Sequence, residues 1–229
     1  MKRIIAIGGG ELKSKTTLKI DERIAAIAKA HAGDRRAYGL FLGTASHDSL
    51  PYFNSFRKIY TSVYDIKADL ALTVYGEMNL EHIAEKFQKA DFIYVGGGDT
   101  VFMLNTWKEK GILPLILSAY ERGVLLTGVS AGAICWFEDM YTDSDLLHGG
   151  TEYRFEKGLG LLRGLMTPHY NERIADFDEN FRRSAFASAY AVEDNAALEF
   201  IDGKLTQKLG DGMAYKLFRT DCGVEKEKL

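Results

Sequence analysis

The stretch Gly128-Val129-Ser130-Ala131-Gly132-Ala133 determines the expected fold, because it places a serine between two glycines at the end of an apolar run. Residues 124–126 before it and 134–137 after it are apolar, which gives the order strand, sharp turn, helix. Such a turn forces the serine into a strained backbone conformation, and flanking glycines remove Cβ atoms that would clash. The sequence therefore predicts a nucleophile elbow with Ser130 at its apex.

Apolar runs alternate with helical spacings on both sides of the elbow. The expected strands are residues 3–7, 37–42, 70–75 and 92–95. The expected helices are residues 20–32, 53–64, 79–90, 101–122 with an interruption near Gly111 and Pro114, and 172–189. This alternation predicts an α/β fold with a mostly parallel sheet and helices on both faces. Residues 196–201 and 204–208 flank Asp202-Gly203, a hairpin signal, so the sheet should finish with antiparallel strands.

Length and composition restrict the class of protein. The chain has 229 residues and a formal charge of −3, which fits one domain spanning residues 1–229. Interspersed acids and bases argue against a nucleic-acid partner, and no apolar stretch reaches the length of a membrane span. The run 4–7 is too short for a signal peptide. Cys135 and Cys222 have neither disulfide nor metal spacing, so a cytoplasmic location is expected.

Two further glycine runs follow predicted strands, where open parallel sheets bind ligands. Gly8-Gly9-Gly10 lacks the spacing of a dinucleotide fingerprint or a phosphate loop, so we interpret it as a tight turn that permits close packing. Gly96-Gly97-Gly98-Asp99-Thr100 precedes a long helix. The backbone N–H of Ala131, at the start of the elbow helix, is one candidate to stabilise an oxyanion, and an N–H group of this second loop is a candidate for the other donor. Asp99 and Thr100 either face substrate or cap the helix.

A serine nucleophile requires a base and a carboxylate that orients the base. Among the five histidines, His169 is the first candidate, because it follows an apolar stretch and Pro168 where a short strand emerges. His148 is the second candidate. The residues alone leave the carboxylate open among Asp143, Asp145, Glu156 and the Glu193-Asp194 pair.

Five segments in this order resemble the peptidase E family, which comprises aspartyl dipeptidases with cyanophycinases as relatives. They are residues 96–100, 128–133, Gly158-Leu159-Gly160-Leu161-Leu162, Pro168-His169-Tyr170 and Val192-Glu193-Asp194-Asn195-Ala196. The resemblance implies that Ser130 is the nucleophile, His169 the base and Glu193 its orienting carboxylate. It also implies that Gly98 and Ala131 supply the oxyanion N–H groups.

The fold that this resemblance implies is similar to class I glutamine amidotransferase domains, which carry a cysteine at the elbow. This chain has serine there, and Cys135 lies beyond the apex. The implied activity is that of a serine peptidase that hydrolyses small peptides without a metal or cofactor. A homodimer is compatible with it.

Substrate specificity depends on Arg173 and Asp99. By the resemblance, Arg173 would bind the aspartate side chain of an Asp-X dipeptide; alternatively it lies on a solvated helix face, paired with Asp176 or Asp178. Asp99 stands where the family typically carries asparagine. Its charge would oppose an acidic side chain or bind the substrate's α-amine, so Asp-X specificity stays open.

Two other classes of function compete with this interpretation. An esterase or amidase of the α/β-hydrolase type shares the elbow, but its histidine normally follows the acid along the chain. Here the order would be Ser130, His169, Glu193. A non-catalytic member that binds peptides or amino acids is disfavoured by the intact serine and histidine.

Overall fold

The computed structural model describes residues 1–75, 78–221 and 223–229, which form two mixed sheets flanked by helices. The strands are β1 (Arg3–Ile7), β2 (Tyr38–Leu42), β3 (Lys67–Ala71), β4 (Phe92–Val95), β5 (Leu125–Val129), β6 (Phe137–Thr142), β7 (Arg154–Lys157), β8 (Leu162–Thr167), β9 (Ser188–Val192), β10 (Ala196–Ile201), β11 (Lys204–Gly210), β12 (Ala214–Thr220) and β13 (Gly223–Lys228). The helices are α1 (Leu18–Ala32), α2 (Leu50–Ser62), α3 (Leu80–Lys89), α4 (Thr100–Glu109), α5 (Leu113–Glu121), α6 (Ala131–Ile134), α7 (Ser144–Leu147) and α8 (Tyr170–Arg183).

The first sheet has the strand order β11-β10-β1-β5-β4-β2-β3, in which β1 to β5 are parallel and β10 and β11 are antiparallel. The carboxyl ends of parallel strands lie at one edge of a sheet. Gly8 follows β1, Gly96 follows β4 and Ser130 follows β5. The three glycine-bearing motifs of the sequence therefore meet at the same edge.

The second sheet has the order β13-β12-β9-β8-β6-β7, with β6, β8 and β9 parallel. His169 comes two residues after the end of β8. Residues 193–195 then carry the chain from β9 in this sheet to β10 in the first sheet. This crossing brings the Glu193-Asp194 turn to the edge where Ser130 lies.

Apolar side chains cover both faces of the first sheet. Along β1, Ile5 and Ile7 belong to the core under α1 and α2, whereas Ile4 and Ala6 belong to the core shared with α3 to α6 and the second sheet. A strand buried on both faces is typical of a parallel α/β sheet. A third apolar cluster packs α8 on the other face of the second sheet. None of the helices in the described ranges is long and apolar enough to cross a membrane.

The predicted α/β class, the flanking helices and the antiparallel strands at the carboxyl end are confirmed. Asp202 (φ 48°) and Gly203 (φ 78°) form the predicted hairpin turn, and the helix predicted over 101–122 is interrupted between α4 and α5.

The prediction of one mostly parallel sheet is wrong, because β6 to β9 and β12 to β13 form a second sheet. Residue 137, assigned by sequence to the elbow helix, begins β6, whose apolar residues pair with β8. Cys222 lies outside the described residues.

Candidate active site

The backbone around Ser130 has the geometry of a nucleophile elbow. Ser130 has φ 53° and ψ −114°, and its N–H donates to the carbonyl oxygen of Ile7 on β1 at 2.9 Å. A Cβ on Gly128 would lie 2.2 Å from the Gly132 oxygen, and one on Gly132 would lie 2.3 Å from the Val95 oxygen. Only glycine fits at either position, so β5 and α6 approach closely enough to raise the serine into the cleft.

The loop of residues 96–98 lies beside Ser130. A Cβ on Gly97 would be 3.3 Å from the Ser130 Cβ. The Gly97 N–H donates to the Tyr52 hydroxyl, and burial raises the pKa of Tyr52 to about 12, so that hydroxyl stays protonated. Gly98 has φ 136°, and a Cβ there would lie 2.1 Å from the Ala45 oxygen. The loop conformation therefore depends on glycine.

Two backbone N–H groups near Ser130 are free for a ligand. The Gly98 N–H makes no backbone or side-chain hydrogen bond within the described ranges. Ala131 is the first residue of α6, and the first N–H groups of a helix have no acceptor within it. Both groups are suited to stabilise a negative oxygen.

His169 forms a close pair with Asp194. Its Nδ1 lies 2.6 Å from Asp194 Oδ1, and both side chains are about a quarter exposed, at 25% each. His169 is in the left-handed region, with φ 48°, and its N–H donates to the Gly8 oxygen at 3.1 Å. A carboxylate at Nδ1 favours the tautomer with its proton there, which leaves Nε2 free to accept a proton.

Gly9 packs directly against this pair. A Cβ at Gly9 would lie 1.8 Å from Asp194 Oδ1 and 2.5 Å from His169 Nδ1. The backbone of the same loop also contacts the neighbouring turn, because the Asn195 N–H donates to the Gly9 oxygen at 3.0 Å. The close packing predicted for the glycine run of residues 8–10 is therefore packing against a histidine–carboxylate pair.

Ser130 and His169 line the same open cleft, which has a volume of about 500 Å³. Its lining residues are Gly10, Glu11, Ser14, Thr16, Tyr52, Gly97, Gly98, Val129, Ser130, His169, Glu172, Asp194 and Asn195. The lining contains three carboxylates, those of Glu11, Glu172 and Asp194, and no lysine or arginine. Over the described ranges, no three His, Cys, Asp or Glu side chains are grouped so as to hold a metal ion.

Comparison with known proteins identifies the family of this chain. The model of peptidase family S51 matches residues 4–208. The chain is 34% identical over 223 residues to the uncharacterized peptidase YgaJ of Bacillus subtilis (strain 168), covering 96% of this chain and 92% of that protein. The chain belongs to peptidase family S51. The resemblance to the peptidase E family found in the five sequence segments is thereby confirmed.

Two further relatives of this S51 peptidase extend the comparison. It is 29% identical over 156 residues to peptidase E of Pasteurella multocida (strain Pm70), which covers 62% of this chain and 64% of that protein. The crystal structure of a peptidase from an acI-B1 Actinobacterium has a TM-score of 0.72 at 16% identity, over 100% of this chain and 94% of that one. That second likeness concerns the fold.

The carboxylate beside His169 in this S51 chain is Asp194, whereas the sequence led us to expect Glu193. The Glu193 carboxylate accepts from the Met213 N–H at 3.2 Å and thus holds the turn against residue 213. Both acids lie where the chain turns from β9 to β10, and within the described ranges it is the Asp194 carboxylate that contacts the His169 ring. The other candidates lie elsewhere: Asp143 pairs with Arg173, and Asp145 pairs with Arg154.

The predicted substrate contact of Arg173 also differs from the structure. Arg173 is 4% exposed, pairs with Asp143 at 2.8 Å and lies over the Tyr153 ring. It does not line the cleft of Ser130. The alternative partners Asp176 and Asp178 bind Tyr141 and Tyr170 instead. Arg173 is therefore a buried link between α8 and the loop after β6.

Asp99 caps α4, as one of the two sequence interpretations proposed. Its carboxylate accepts from the Phe102 N–H at 3.0 Å and lies 2.5 Å from His148 Nε2. Burial alone would raise the pKa of Asp99, but hydrogen bonds from Phe102, Ser144 and His148 outweigh it and hold that pKa below the ordinary value. Asp99 does not line the cleft, and His148, the second candidate base, is occupied by this contact.

Sequence reasoning missed several polar residues at the site, among them Glu11, Glu172 and Asn171. Glu11 and Glu172 line the cleft, and Asn171 contacts Asp194. Their position next to motif residues was the only available signal: Glu11 follows the glycine run, and the other two follow His169 by two and three residues.

Proposed function

We propose that this S51 peptidase is a serine-type enzyme that hydrolyses small peptides, with Ser130 as nucleophile, His169 as base and Asp194 as orienting carboxylate. The observation that carries the proposal is one cleft that contains both the strained elbow serine and the histidine of the close His169–Asp194 pair. A nucleophile, a base and a group that orients the base are the components of acyl transfer.

The proposed reaction has two halves. The Ser130 hydroxyl attacks the peptide carbonyl while His169 Nε2 takes its proton, and His169 then gives that proton to the leaving amine. The carbonyl oxygen becomes negative in the tetrahedral intermediate and is bound by the N–H groups of Gly98 and Ala131, each typically worth about 3 kcal/mol. Water, activated by the same imidazole, then hydrolyses the acyl-enzyme.

Serine is the better nucleophile here than the nearby thiol. Burial raises the pKa of Cys135 well above its ordinary value, and the side chain is 0% exposed. A thiol without access to substrate and without a lowered pKa is unreactive. The overall architecture is compatible with the class I glutamine amidotransferase-like fold, which we propose on the sequence resemblance. Family membership argues against an α/β-hydrolase esterase.

The size and charge of the cleft support small, unblocked substrates without an acidic first side chain. A volume of about 500 Å³ is in the range of small-molecule sites. Glu11 and Glu172 make no ion pair within the described ranges and would attract an ammonium group and repel a carboxylate. The arginine that would have neutralised an aspartate side chain is paired with Asp143. We therefore expect this enzyme to prefer dipeptides with a neutral or basic first residue over Asp-X dipeptides.

A dipeptide panel tests the activity and its specificity together. We expect free amino acids to be released from Leu-Leu, Lys-Leu and Asn-Leu in the presence of EDTA, with kcat/KM for Asn-Leu at least about fivefold above that for the isosteric Asp-Leu. That ratio corresponds to about 1 kcal/mol, a reasonable charge repulsion in a partly solvated cleft. Glu172→Gln should reduce the ratio, whereas Glu179→Gln should not, because Glu179 pairs with Arg182 and Arg183 on α8.

The panel can contradict the expected specificity and the serine-type mechanism independently of each other. Asp-Leu as the best substrate would contradict the charge argument and leave the peptidase proposal standing. Activity that is lost in EDTA and restored only by added metal would contradict the serine-type mechanism.

A further inference from the structure

Asn171 contacts Asp194 twice. Its side-chain Nδ2 donates to Asp194 Oδ2 at 2.9 Å, and its Oδ1 accepts from the Asp194 N–H at 2.9 Å. The other carboxylate oxygen, Oδ1, lies 2.6 Å from His169 Nδ1. Each oxygen of the carboxylate therefore has one partner, and the backbone of the same residue is bound to the amide that holds its side chain.

Both partners of the Asp194 carboxylate come from the start of α8. His169 is the N-cap of this helix, and Asn171 is its second residue. Gly9, in the loop that follows β1, packs on the carboxylate. A rotation of the Asp194 side chain would therefore break its hydrogen bonds to His169 and Asn171 together, and the side chain, 25% exposed, would otherwise be free to turn toward water.

We propose that Asn171 is a positioning residue that holds the Asp194 carboxylate with Oδ1 directed at His169 Nδ1. Its catalytic consequence rests on the proposed function, because it matters for turnover only if His169 is the base. Asn171 acts through Asp194 and is assigned no contact with substrate.

Four titratable or polar groups share the cleft with the His169 ring. Asp194 contacts Nδ1, and Ser130, Glu11 and Glu172 line the same cavity. Truncation of Asn171 leaves all four in the chain, so a change in the titration of His169 would report a displaced Asp194. Replacement of Asn171 by aspartate removes the donor to Oδ2 and adds a negative charge, which favours the imidazolium.

The first experiment compares Asn171→Ala and Asn171→Asp with Asn180→Ala. Asn180 is also on α8 but donates to Tyr141 and Asp176, away from the cleft. We expect kcat to fall about 10- to 100-fold in both Asn171 variants with KM within about threefold, since ground-state binding is unaffected. Asn180→Ala should keep kcat within about twofold of wild type, even if it lowers the melting temperature as much as the Asn171 variants do.

The second experiment is an NMR titration of His169 in the Ser130→Ala background, which needs no turnover. We expect Asn171→Ala to lower the titration midpoint and Asn171→Asp to raise it, relative to the parent. An unchanged midpoint in Asn171→Ala, or an Asn171→Ala enzyme with wild-type kcat, would overturn the inference, because the added charge of Asn171→Asp favours the imidazolium wherever Asp194 lies. If the wild-type protein hydrolyses no peptide, the proposed function fails, and the titration still decides whether Asn171 places Asp194.

Discussion

Replacing Ser130 or His169 by alanine is expected to lower kcat/KM for dipeptide hydrolysis by about four orders of magnitude or more. The reason is that the serine oxygen forms the acyl bond and the imidazole carries its proton, so either loss removes the whole covalent route. The double variant should be no worse than either single variant, because residues that act as a unit are not additive.

The fold should survive both replacements. Ser130 binds the first sheet through its backbone N–H, and the His169 N–H binds Gly8, and neither contact involves the side chain. Ser55→Ala and His82→Ala are matched controls, because the Ser55 hydroxyl donates to the Pro51 oxygen on its own helix and His82 is exposed on α3. A Ser130→Ala enzyme that retains a tenth of the wild-type kcat/KM would contradict the assignment of the nucleophile.

The second large effect is expected at Asp194. Asp194→Asn should lower kcat/KM about 10³- to 10⁴-fold, because an amide at Nδ1 neither stabilises the imidazolium nor enforces the required tautomer. Glu193→Gln is the matched control, since it is the adjacent residue and undergoes the same change of carboxylate to amide. It should stay within about tenfold of wild type, because a glutamine oxygen can still accept from the Met213 N–H.

The two carboxylates are distinguished by steady-state kinetics of both variants on one dipeptide. The reverse pattern, with Glu193→Gln nearly inactive and Asp194→Asn active, would restore the role that the sequence resemblance implied for Glu193. Equal and small losses of kcat/KM in both variants would show that neither carboxylate takes part in catalysis.

The elbow was predictable because its signal is local. A strand, a serine and two glycines within six residues specify a turn whose steric reason is contained in the same segment, and the structure shows the clashes that a Cβ at Gly128 or Gly132 would cause. The loop around Gly98 was predictable for a related reason, since glycine runs after buried strands lie at the ligand-binding edge of a parallel sheet.

The choice between Glu193 and Asp194 was not predictable from local pattern. It depends on which way the turn between β9 and β10 faces, and that is fixed by contacts with residues distant in sequence: Met213, Asn171 and Gly9. The second sheet was missed for the same reason. Its strands β6, β8 and β9 pair in parallel, so no hairpin turn in the sequence marks which strands are neighbours.

The contact that the resemblance implied for Arg173 differs from the one in the structure. Its position four residues after His169 places it one helical turn from the histidine, where either the cleft or the helix interior is within reach. The buried pair with Asp143 and the contact with the Tyr153 ring decide for the interior. Only the three-dimensional position of residue 143 reveals this.

The most direct test of the central claim is covalent labelling of the folded protein with a fluorophosphonate probe, followed by peptide mapping. Such a probe reacts with a serine hydroxyl that is activated by a base and has oxyanion donors beside it. We expect one adduct, on Ser130, formed rapidly in the wild type, at least about 100-fold more slowly in His169→Ala, and lost after denaturation. An unlabelled Ser130 in folded, peptide-hydrolysing protein would contradict the account.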